Sequence, residues 1–330
     1  MKHLLTLSRY AAVLAVTAFL VWMAFGTIQV ADGQDRGDFL LKTWQSAAKL
    51  PLVLMVVVSM VSHVIRAERW RLLLASAGTP ARSWPTFLSV MVGYLVNLVV
   101  PRGGELSRAL NLYRLDGVKP ETSFGTVITE RVIDVLFLIS FVALAFVLES
   151  DKLGAFLSGL PVSEDFSVPW WVYLVATGVV LLIALGYRAR KNSKFRSLLD
   201  GFKAGLFSVF SLDRKGLFLT HSVLIWALYF LTTWLVLQSF AQTKELGFEA
   251  VLMIFALGSI AMAIPLPGGT GSYHTIVPLG LVSFYGLAQA DAVALVFIFH
   301  ALQSLILLVF GLLALLITFW TKRLPGPDSH

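Results

Sequence analysis

The sequence predicts an all-α membrane protein that crosses the bilayer several times. Hydrophobic residues make up 57% of the 330 residues and charged residues only 14%, whereas a soluble domain carries about 25% charged residues. Eight apolar segments follow one another along the chain, and one crossing of the hydrocarbon takes about 20 residues in a helix. We therefore predict a single integral membrane domain, 1–330, with six full spans and two re-entrant or broken helical hairpins.

Six of the apolar segments are uninterrupted and fit a spanning helix. They are residues 10–30, 50–66, 126–148, 169–187, 217–240 and 292–320. The first follows Lys2 and Arg9 and is too long for a signal-peptide core, so we expect it to be retained.

The charges of the connecting loops predict the orientation. Basic residues dominate 66–83 and 188–215, whereas loop 149–168 is mainly acidic. Because basic loops remain in the cytoplasm, we expect both termini to be cytoplasmic. The interrupted segments 84–125 and 248–288 then make no net crossing, which predicts hairpins that enter from opposite faces.

Both interrupted segments contain a proline followed by Gly-Gly. Residues 93–105 (GYLVNLVVPRGGE) align with 258–270 (GSIAMAIPLPGGT), 165 residues apart. This indicates an inverted repeat with halves at about 50–148 and 217–320, an architecture in which broken helices hold a substrate near the midplane. Two ordinary Pro-Gly kinks are the alternative.

An amphipathic pattern lies between the fourth and fifth spans. Its apolar positions recur at helical spacing, at Phe195, Leu198, Leu199, Phe202, Leu206 and Phe210. We expect a helix on the cytoplasmic leaflet.

The candidate site consists of polar residues near the apolar segments, where a charge costs at least about 2.5–3.5 kcal/mol at the bilayer centre. The candidates are Arg66, Arg69, Asn97, Arg102, Glu105, Arg108, Glu130, Arg131, Asp134, Gly268, Gly269, His274, His300 and Gln303. Arg66 and Arg69 share a helix face. They are either a basic anchor at the end of the second span or a contact for a phosphate headgroup.

Charged residues of the first break are expected to pair with charged residues of the third span. Arg102 is expected to face an anionic ligand, while Glu105 and Arg108 pair at i, i+3 spacing. Glu130 and Asp134 lie on one face, and two carboxylates that close need a cation. We predict that Arg102 or Arg108 supplies it, which forms either a clamp on the hairpin or part of a gate.

At the second break, His274 is expected to face His300 and Gln303 of the last span. The histidines are either hydrogen-bonded packing residues or a proton relay or headgroup contact. No third ligand converges on them, so we predict no metal. The sequence has no cysteine and no soluble-type catalytic motif, so we predict neither a catalytic residue nor a cofactor.

Four motifs together resemble the lysylphosphatidylglycerol synthase transmembrane-region family, over about residues 10–320. They are RxxRW at 66–70, NxxxPRGGExxR at 97–108, ERVID at 130–134 and PxPGGTG at 265–271. The resemblance implies a flippase-like domain, similar to the membrane half of the multiple peptide resistance factor, which moves aminoacylated phosphatidylglycerol between leaflets. The soluble synthase domain of that protein has no counterpart here, and His274 stands where the family often has Glu.

The residues and the resemblance together predict a flippase or transporter in a bacterial inner membrane. Its cargo would be an anionic or aminoacylated phospholipid or a polyprenyl-phosphate lipid. Two alternatives stay open: a membrane enzyme acting on a lipid phosphate, and an accessory subunit of an envelope lipid or glycan synthase. The expected partners are lipids with anionic headgroups and not nucleic acid, although the net charge is +7, because basic residues cluster at segment ends. A homo-oligomer also stays open.

Overall fold

The computed structural model describes residues 35–152, 193–264 and 266–321. Every regular element in these ranges is a helix, which confirms the all-α class. The predicted spans at 10–30 and 169–187 lie outside the described residues, as does Pro265 of the second break.

Four long helices form the body of the described protein. They are α2 (Lys49–Ser76), α5 (Pro120–Leu148), α7 (Lys215–Gln238) and α10 (Gln289–Trp320), each long and apolar enough to cross a membrane. They correspond to four of the predicted spans. The helix that contains the predicted second span, α2, continues beyond residue 66 through the charged residues to Ser76.

Two pairs of short helices connect the long ones. The first pair is α3 (Ser83–Asn97) and α4 (Gly103–Asp116); the second is α8 (Phe248–Ala263) and α9 (Ser272–Tyr285), with a 3-10 turn at Pro267–Gly269 between them. At 1.5 Å per residue, 14 to 16 residues reach about 21–24 Å, less than the ~30 Å of hydrocarbon. Each half therefore has the order long, short, short, long.

The two hairpins open at opposite ends of the long helices. The base of the α3–α4 hairpin is closed by Arg82, whose Nε donates to Asp116 Oδ1 at 2.7 Å, beside the end of α2 and the start of α5. The α8–α9 hairpin ends at Tyr285, whose hydroxyl donates to Glu149 at 3.1 Å just after the opposite end of α5. The tips of the two hairpins consequently point toward each other.

The tips are in contact. A Cβ built at Gly268 would lie 3.3 Å from Cδ2 of Leu98, and Arg102 Nη2 donates to the carbonyl oxygen of Ala263 at 2.6 Å. Arg102 has a φ of 60°, a left-handed conformation that costs a residue with a side chain about 1–2 kcal/mol. The turn at the first break thus directs the guanidinium toward the second break.

Two further helices flank this body. Helix α1 (Arg36–Ser46) precedes α2, and the side chain of Asp35 caps it by accepting from Gly37 N at 2.7 Å. This helix was not predicted from the sequence. Helix α6 (Ser193–Leu206) falls where an amphipathic helix was predicted. The side chains of Phe195 and Leu198 lie outside the described part.

Helix α6 packs closely on the first half of α5. A Cβ at Gly205 would lie 2.1 Å from the carbonyl oxygen of Thr122, and one at Gly125 would lie 2.3 Å from that of Phe202. Thr129 Oγ1 also donates to the carbonyl oxygen of Leu206 at 2.6 Å. Helix α6, which was predicted to lie on the membrane surface, therefore packs against α5. The two backbones can approach this closely because the glycines at the contact have no side chain.

The main apolar core lies among α2, α7, α8, α9 and α10. Its fully buried members include Met55, Val236, Val251, Ile254, Leu281 and Val296. This core joins the second hairpin to the long helices of both halves, so it fixes where the second break lies relative to α2.

Candidate functional site

Two arginines of α2 are buried against two carboxylates of α5. Arg66 is 3% exposed and Arg69 is fully buried. Arg66 Nη2 lies 2.6 Å from Glu130 Oε1 and 2.5 Å from Asp134 Oδ2, and Arg69 Nη2 lies 2.7 Å from Asp134 Oδ1. The two arginines are therefore buried ion-pair partners rather than an interfacial anchor.

A third arginine reaches the same carboxylates from the first hairpin. Arg108 Nη2 donates to Glu130 Oε2 at 2.9 Å, and its guanidinium lies 3.9 Å from the ring centroid of Trp70. Trp70 is fully buried and donates from Nε1 to Thr126 Oγ1 at 2.8 Å. The prediction that Arg102 or Arg108 pairs with these carboxylates is confirmed for Arg108.

Glu105 pairs with a different arginine from the one predicted. Its Oε1 lies 3.0 Å from Arg131 Nη2, so the predicted Glu105–Arg108 pair is wrong. The packing of α4 against α5 explains the difference: Arg108 points at Glu130, and Glu105 meets the next residue of α5. Arg131 also lies 3.8 Å from Asp134 on its own helix.

Arg102 has no carboxylate within 4.0 Å among the described residues. It is exposed and its hydrogen bond goes to a backbone carbonyl of the other half. The expectation that Arg102 is open to an anionic ligand stays a prediction, and its position in the break is consistent with it.

These residues form one charged cluster with an excess of positive charge. Its members are four arginines and three carboxylates joined by ion pairs: Arg66, Arg69, Arg108, Arg131, Glu105, Glu130 and Asp134. Four minus three leaves one formal positive charge, and the exposed Arg102 beside the cluster adds a second. Inside a protein such an excess attracts an anion more strongly than it would in water.

A cavity of about 380 Å³ lies beside the charged cluster, between the two halves. One wall is charged and consists of Arg66, Arg102, Glu105, Arg131 and Asp134. Another is apolar and aromatic and includes Leu138, Trp226, Phe255, Phe299 and Leu307. A volume of this size suits a small-molecule group, and the two walls suit a molecule with a charged end and an apolar end.

Most of the other predicted residues line the same cavity. Asn97, Gly268, Gly269, His300 and Gln303 do so, whereas Arg69, Arg108 and Glu130 lie behind its charged wall. Asn97 Oδ1 also accepts from Gly104 N at 2.7 Å, which joins the two helices of the first hairpin across the break.

His274 does not line the cavity. Its ring centroid lies 4.7 Å from that of His300, so the predicted approach of the two histidines is confirmed. His274 Nδ1 accepts from Gly271 N at 3.4 Å, and His300 Nε2 lies 2.9 Å from the carbonyl oxygen of Gly268. Both rings therefore support the backbone of the second break.

Several cavity residues were not among those predicted from the sequence. Ser59 and His63 lie on α2 on the same face as Arg66, and Trp226 and Tyr229 lie on α7. Tyr229 accepts from Arg66 Nη1 at 2.9 Å. The spacing of Ser59, His63 and Arg66 at i, i+4 and i+7 within an apolar run was the available signal.

Among the described residues, no group of three or more His, Cys, Asp or Glu side chains is arranged to hold a metal ion. The polar groups at the cavity are guanidinium, hydroxyl, amide, imidazole and paired carboxylate. Groups of this kind can bind and orient a ligand through hydrogen bonds and charge.

Comparison with known proteins agrees with the sequence motifs. The family model described as lysylphosphatidylglycerol synthase TM region matches residues 10–311. Two similar proteins are UPF0104 membrane proteins of Methanocaldococcus jannaschii. MJ1595 is 23% identical over 338 residues, covering 93% of this chain and 94% of its own; MJ1078 is 26% identical over 228 residues, covering 66% and 91%.

No solved structure gives a significant match to the chain. The family match nevertheless extends over most of the sequence and includes both breaks and the charged cluster. The chain is thus a multi-pass membrane protein that belongs to the lysylphosphatidylglycerol synthase transmembrane-region family.

Proposed function

We propose that this protein moves a lipid with an anionic headgroup between the two leaflets of a membrane. The observation that carries the proposal is the amphipathic cavity at the contact of the two hairpin tips, beside the charged cluster and Arg102, which together carry two excess positive charges. The charged wall suits a headgroup and the apolar wall suits the adjoining chain. A cavity bounded by both halves is also where inverted-repeat transporters bind their substrates.

In this proposal the hairpins are re-entrant and enter the membrane from opposite faces. Their short helices and their oppositely placed bases support this arrangement. The basic end, with Arg82 and Lys119, faces the cytoplasm under the positive-inside rule. The cavity becomes accessible from alternate sides of the membrane when one hairpin tip moves away from the other. The membrane is a bacterial inner membrane or its equivalent.

The cavity arginines have different roles in the proposal. Arg102 makes the first contact with the headgroup because it is exposed and has no carboxylate partner in the described structure. Arg66 and Arg131 face the bound phosphate, for which guanidinium geometry is well suited. Glu130 and Asp134 hold Arg66 in place and limit the excess charge.

The experiment is leaflet-resolved labelling of lipid in proteoliposomes. We expect the double variant Arg102→Ala, Glu105→Ala to move lipid about 10- to 100-fold more slowly, the size expected when one charge-assisted hydrogen bond is lost. Arg82→Ala is the matched control, since it removes a cation from the base of the same hairpin, away from the cavity. Unchanged movement in the double variant contradicts the site, and no movement by the unaltered protein contradicts the function.

The two other candidate functions give different results in the same preparation. A membrane enzyme acting on a lipid phosphate forms a new lipid in detergent, which mass spectrometry detects. An accessory subunit moves no lipid when purified, and its deletion lowers the activity of an envelope synthase. A transporter changes only the location of the lipid.

A further inference from the structure

Arg131 lies at the surface of the cavity and is only loosely held by carboxylates. Its side chain is 35% exposed and lines the cavity. Nη2 lies 3.0 Å from Glu105 Oε1, while Nη1 lies 3.8 Å from Asp134 Oδ2, beyond hydrogen-bonding distance. The side chain of Arg66, by contrast, is 4% exposed and lies within 2.6 Å of two carboxylates. An anion in the cavity can therefore compete for Arg131 more readily than for Arg66.

Glu105 is the least engaged carboxylate of the charged cluster. Its Oε1 contacts Arg131, but its Oε2 has no hydrogen-bond partner among the described residues. Glu130 and Asp134 each contact arginines through both of their oxygens. A carboxylate that is bonded through both oxygens is held more firmly than one bonded through a single oxygen. The pair of Glu105 and Arg131 is thus the ion pair of the cluster that an anion breaks most easily.

Glu105 retains a favourable position when it leaves Arg131. It is the third residue of α4, and a negative charge in the first turn of a helix is stabilised by the helix dipole. Its side chain also lines the cavity, so the carboxylate can change its rotamer while the helix stays in place. The exposed Arg102 precedes it by three residues at the same tip. A phosphate that Arg102 attracts consequently arrives beside Glu105.

A lipid phosphate offers Arg131 the same kind of contact as Glu105 does. Carboxylate and phosphate oxygens both accept hydrogen bonds from a guanidinium, whose N–H groups match either anion. Two negative charges at one site repel each other. The phosphate and Glu105 are therefore expected to replace each other at Arg131 rather than share it.

We propose that Glu105 is an internal substitute for the headgroup phosphate. It occupies Arg131 while the cavity is empty, gives way when a phosphate-bearing lipid enters, and competes again for Arg131 when the lipid leaves. This inference rests on the proposed function and assigns the regulation of its site. Removing the charge of Glu105 consequently makes the cavity bind anions more tightly and release them more slowly.

The first test is the binding of inorganic phosphate to the purified full chain in detergent, measured by isothermal titration calorimetry. Glu105→Gln keeps the size of the side chain and removes its charge. We expect phosphate affinity to rise about 10-fold or more, the effect of losing one competing charge-assisted hydrogen bond. Glu68→Gln is the control with unchanged affinity, since Glu68 pairs with Arg71 and does not line the cavity. Equal or weaker phosphate binding by Glu105→Gln overturns the inference.

A double-variant comparison separates direct competition from a general effect of charge. We expect Glu105→Gln to raise phosphate affinity only when Arg131 is present, because the two anions compete for its guanidinium. A gain of the same size in the background Arg131→Ala overturns the inference. Glu105→Ala replaces Glu105→Gln in both comparisons if the glutamine variant does not fold.

Lipid movement in proteoliposomes provides a readout that a merely structural role of Glu105 would not change in the same way. With phosphatidylglycerol as the probe, we expect Glu105→Gln to reach half of its maximum rate at about 10-fold less lipid, matching the gain in affinity. Its maximum rate is expected to fall, because the tighter complex releases lipid more slowly. A lower rate without this shift in the half-saturating amount of lipid indicates a structural contact and overturns the inference.

Phosphate binding and lipid movement together separate this inference from the proposed function. Tighter phosphate binding by Glu105→Gln, without lipid movement by the unaltered chain, supports the competition at Arg131 and contradicts transport. Lipid movement by the unaltered chain, without tighter phosphate binding by the variant, supports transport and overturns the competition.

Discussion

Glu130 is a charged residue with no exposed surface in the described protein. It is fully buried and lies within 3.4 Å of guanidinium nitrogens from Arg66, Arg69 and Arg108. These arginines come from α2 and α4, so one carboxylate of α5 joins three helices. Removing a single partner from such a group leaves buried cations without compensation.

We expect Glu130→Gln to lower the free energy of unfolding by about 3–5 kcal/mol, the usual result of breaking a buried ion pair. Denaturation in detergent, followed by circular dichroism or tryptophan fluorescence, measures it. Glu68→Gln is the control: Glu68 pairs with Arg71, and their side chains are 33% and 35% exposed, so its loss should cost less than about 1 kcal/mol. Equal losses in the two variants would contradict the central role of Glu130.

For individual residues, the sequence predicted that Glu130 and Asp134 need a nearby cation, but it identified only one of the arginines that pair with them. The i, i+4 spacing of Glu130 and Asp134 required a nearby cation, and Arg108 is one. Arg66 and Arg69 resembled a membrane anchor because the apolar run ends beside them. Only the approach of α2 to α5 places both arginines on the carboxylates, and spacing along one helix carries no information about that approach.

Helices α5 and α6 approach each other through glycines. Gly125 and Gly205 face the backbone of the partner helix, and close approach lets Thr129 bond to the end of α6. Amphipathic periodicity predicted that α6 exists. It could not predict this contact, since two helices of separate sequence segments supply the two glycines.

We expect Gly205→Ala to destabilise the protein by about 1–3 kcal/mol, as overpacking does in a core, because its Cβ would lie 2.1 Å from a backbone oxygen. Thermal unfolding in detergent provides the measurement. Gly216→Ala is the matched control in a helix, with no described atom within 4 Å of the added Cβ, and should be neutral or stabilising by up to about 1 kcal/mol. A neutral Gly205→Ala would show that α6 is not held by this contact.

Across the whole molecule, the described residues form two sets of helices that both have the order long, short, short, long. The hairpin tips of the two sets meet beside the cavity. The Pro-Gly-Gly alignment predicted both breaks, and the composition and apolar segments predicted the membrane class. The cavity could not be predicted from hydropathy, since each of the long helices α2, α5, α7 and α10 contributes only one face to it. The predicted inverted symmetry and re-entrant insertion remain predictions.

A disulfide between the tips tests whether they must separate. In Leu98→Cys, Gly268→Cys, the Cβ at 268 lies 3.9 Å from the Cα of residue 98, so the two Cα atoms are at most one bond length farther apart and lie below the upper limit of about 6.8 Å for disulfides. The natural chain has no cysteine to interfere. We expect oxidation to stop lipid movement and a reductant to restore it.

The controls for the disulfide are the two single-cysteine variants under the same oxidant. They also report any strain at Gly268, whose φ is 56°, since a side chain is unfavourable there. Full lipid movement by the cross-linked protein would show that transport does not require the tips to part.

The hydrogen bond from Arg102 to Ala263 uses one of the five N–H donors of the guanidinium to join the two tips. Charge-assisted bonds contribute about 1.5–3 kcal/mol, enough to shift the balance between joined and parted tips about 10- to 100-fold. A small inorganic anion that turns the guanidinium away from this carbonyl would therefore loosen the junction while carrying no cargo, and would act as an uncoupled opener of the protein.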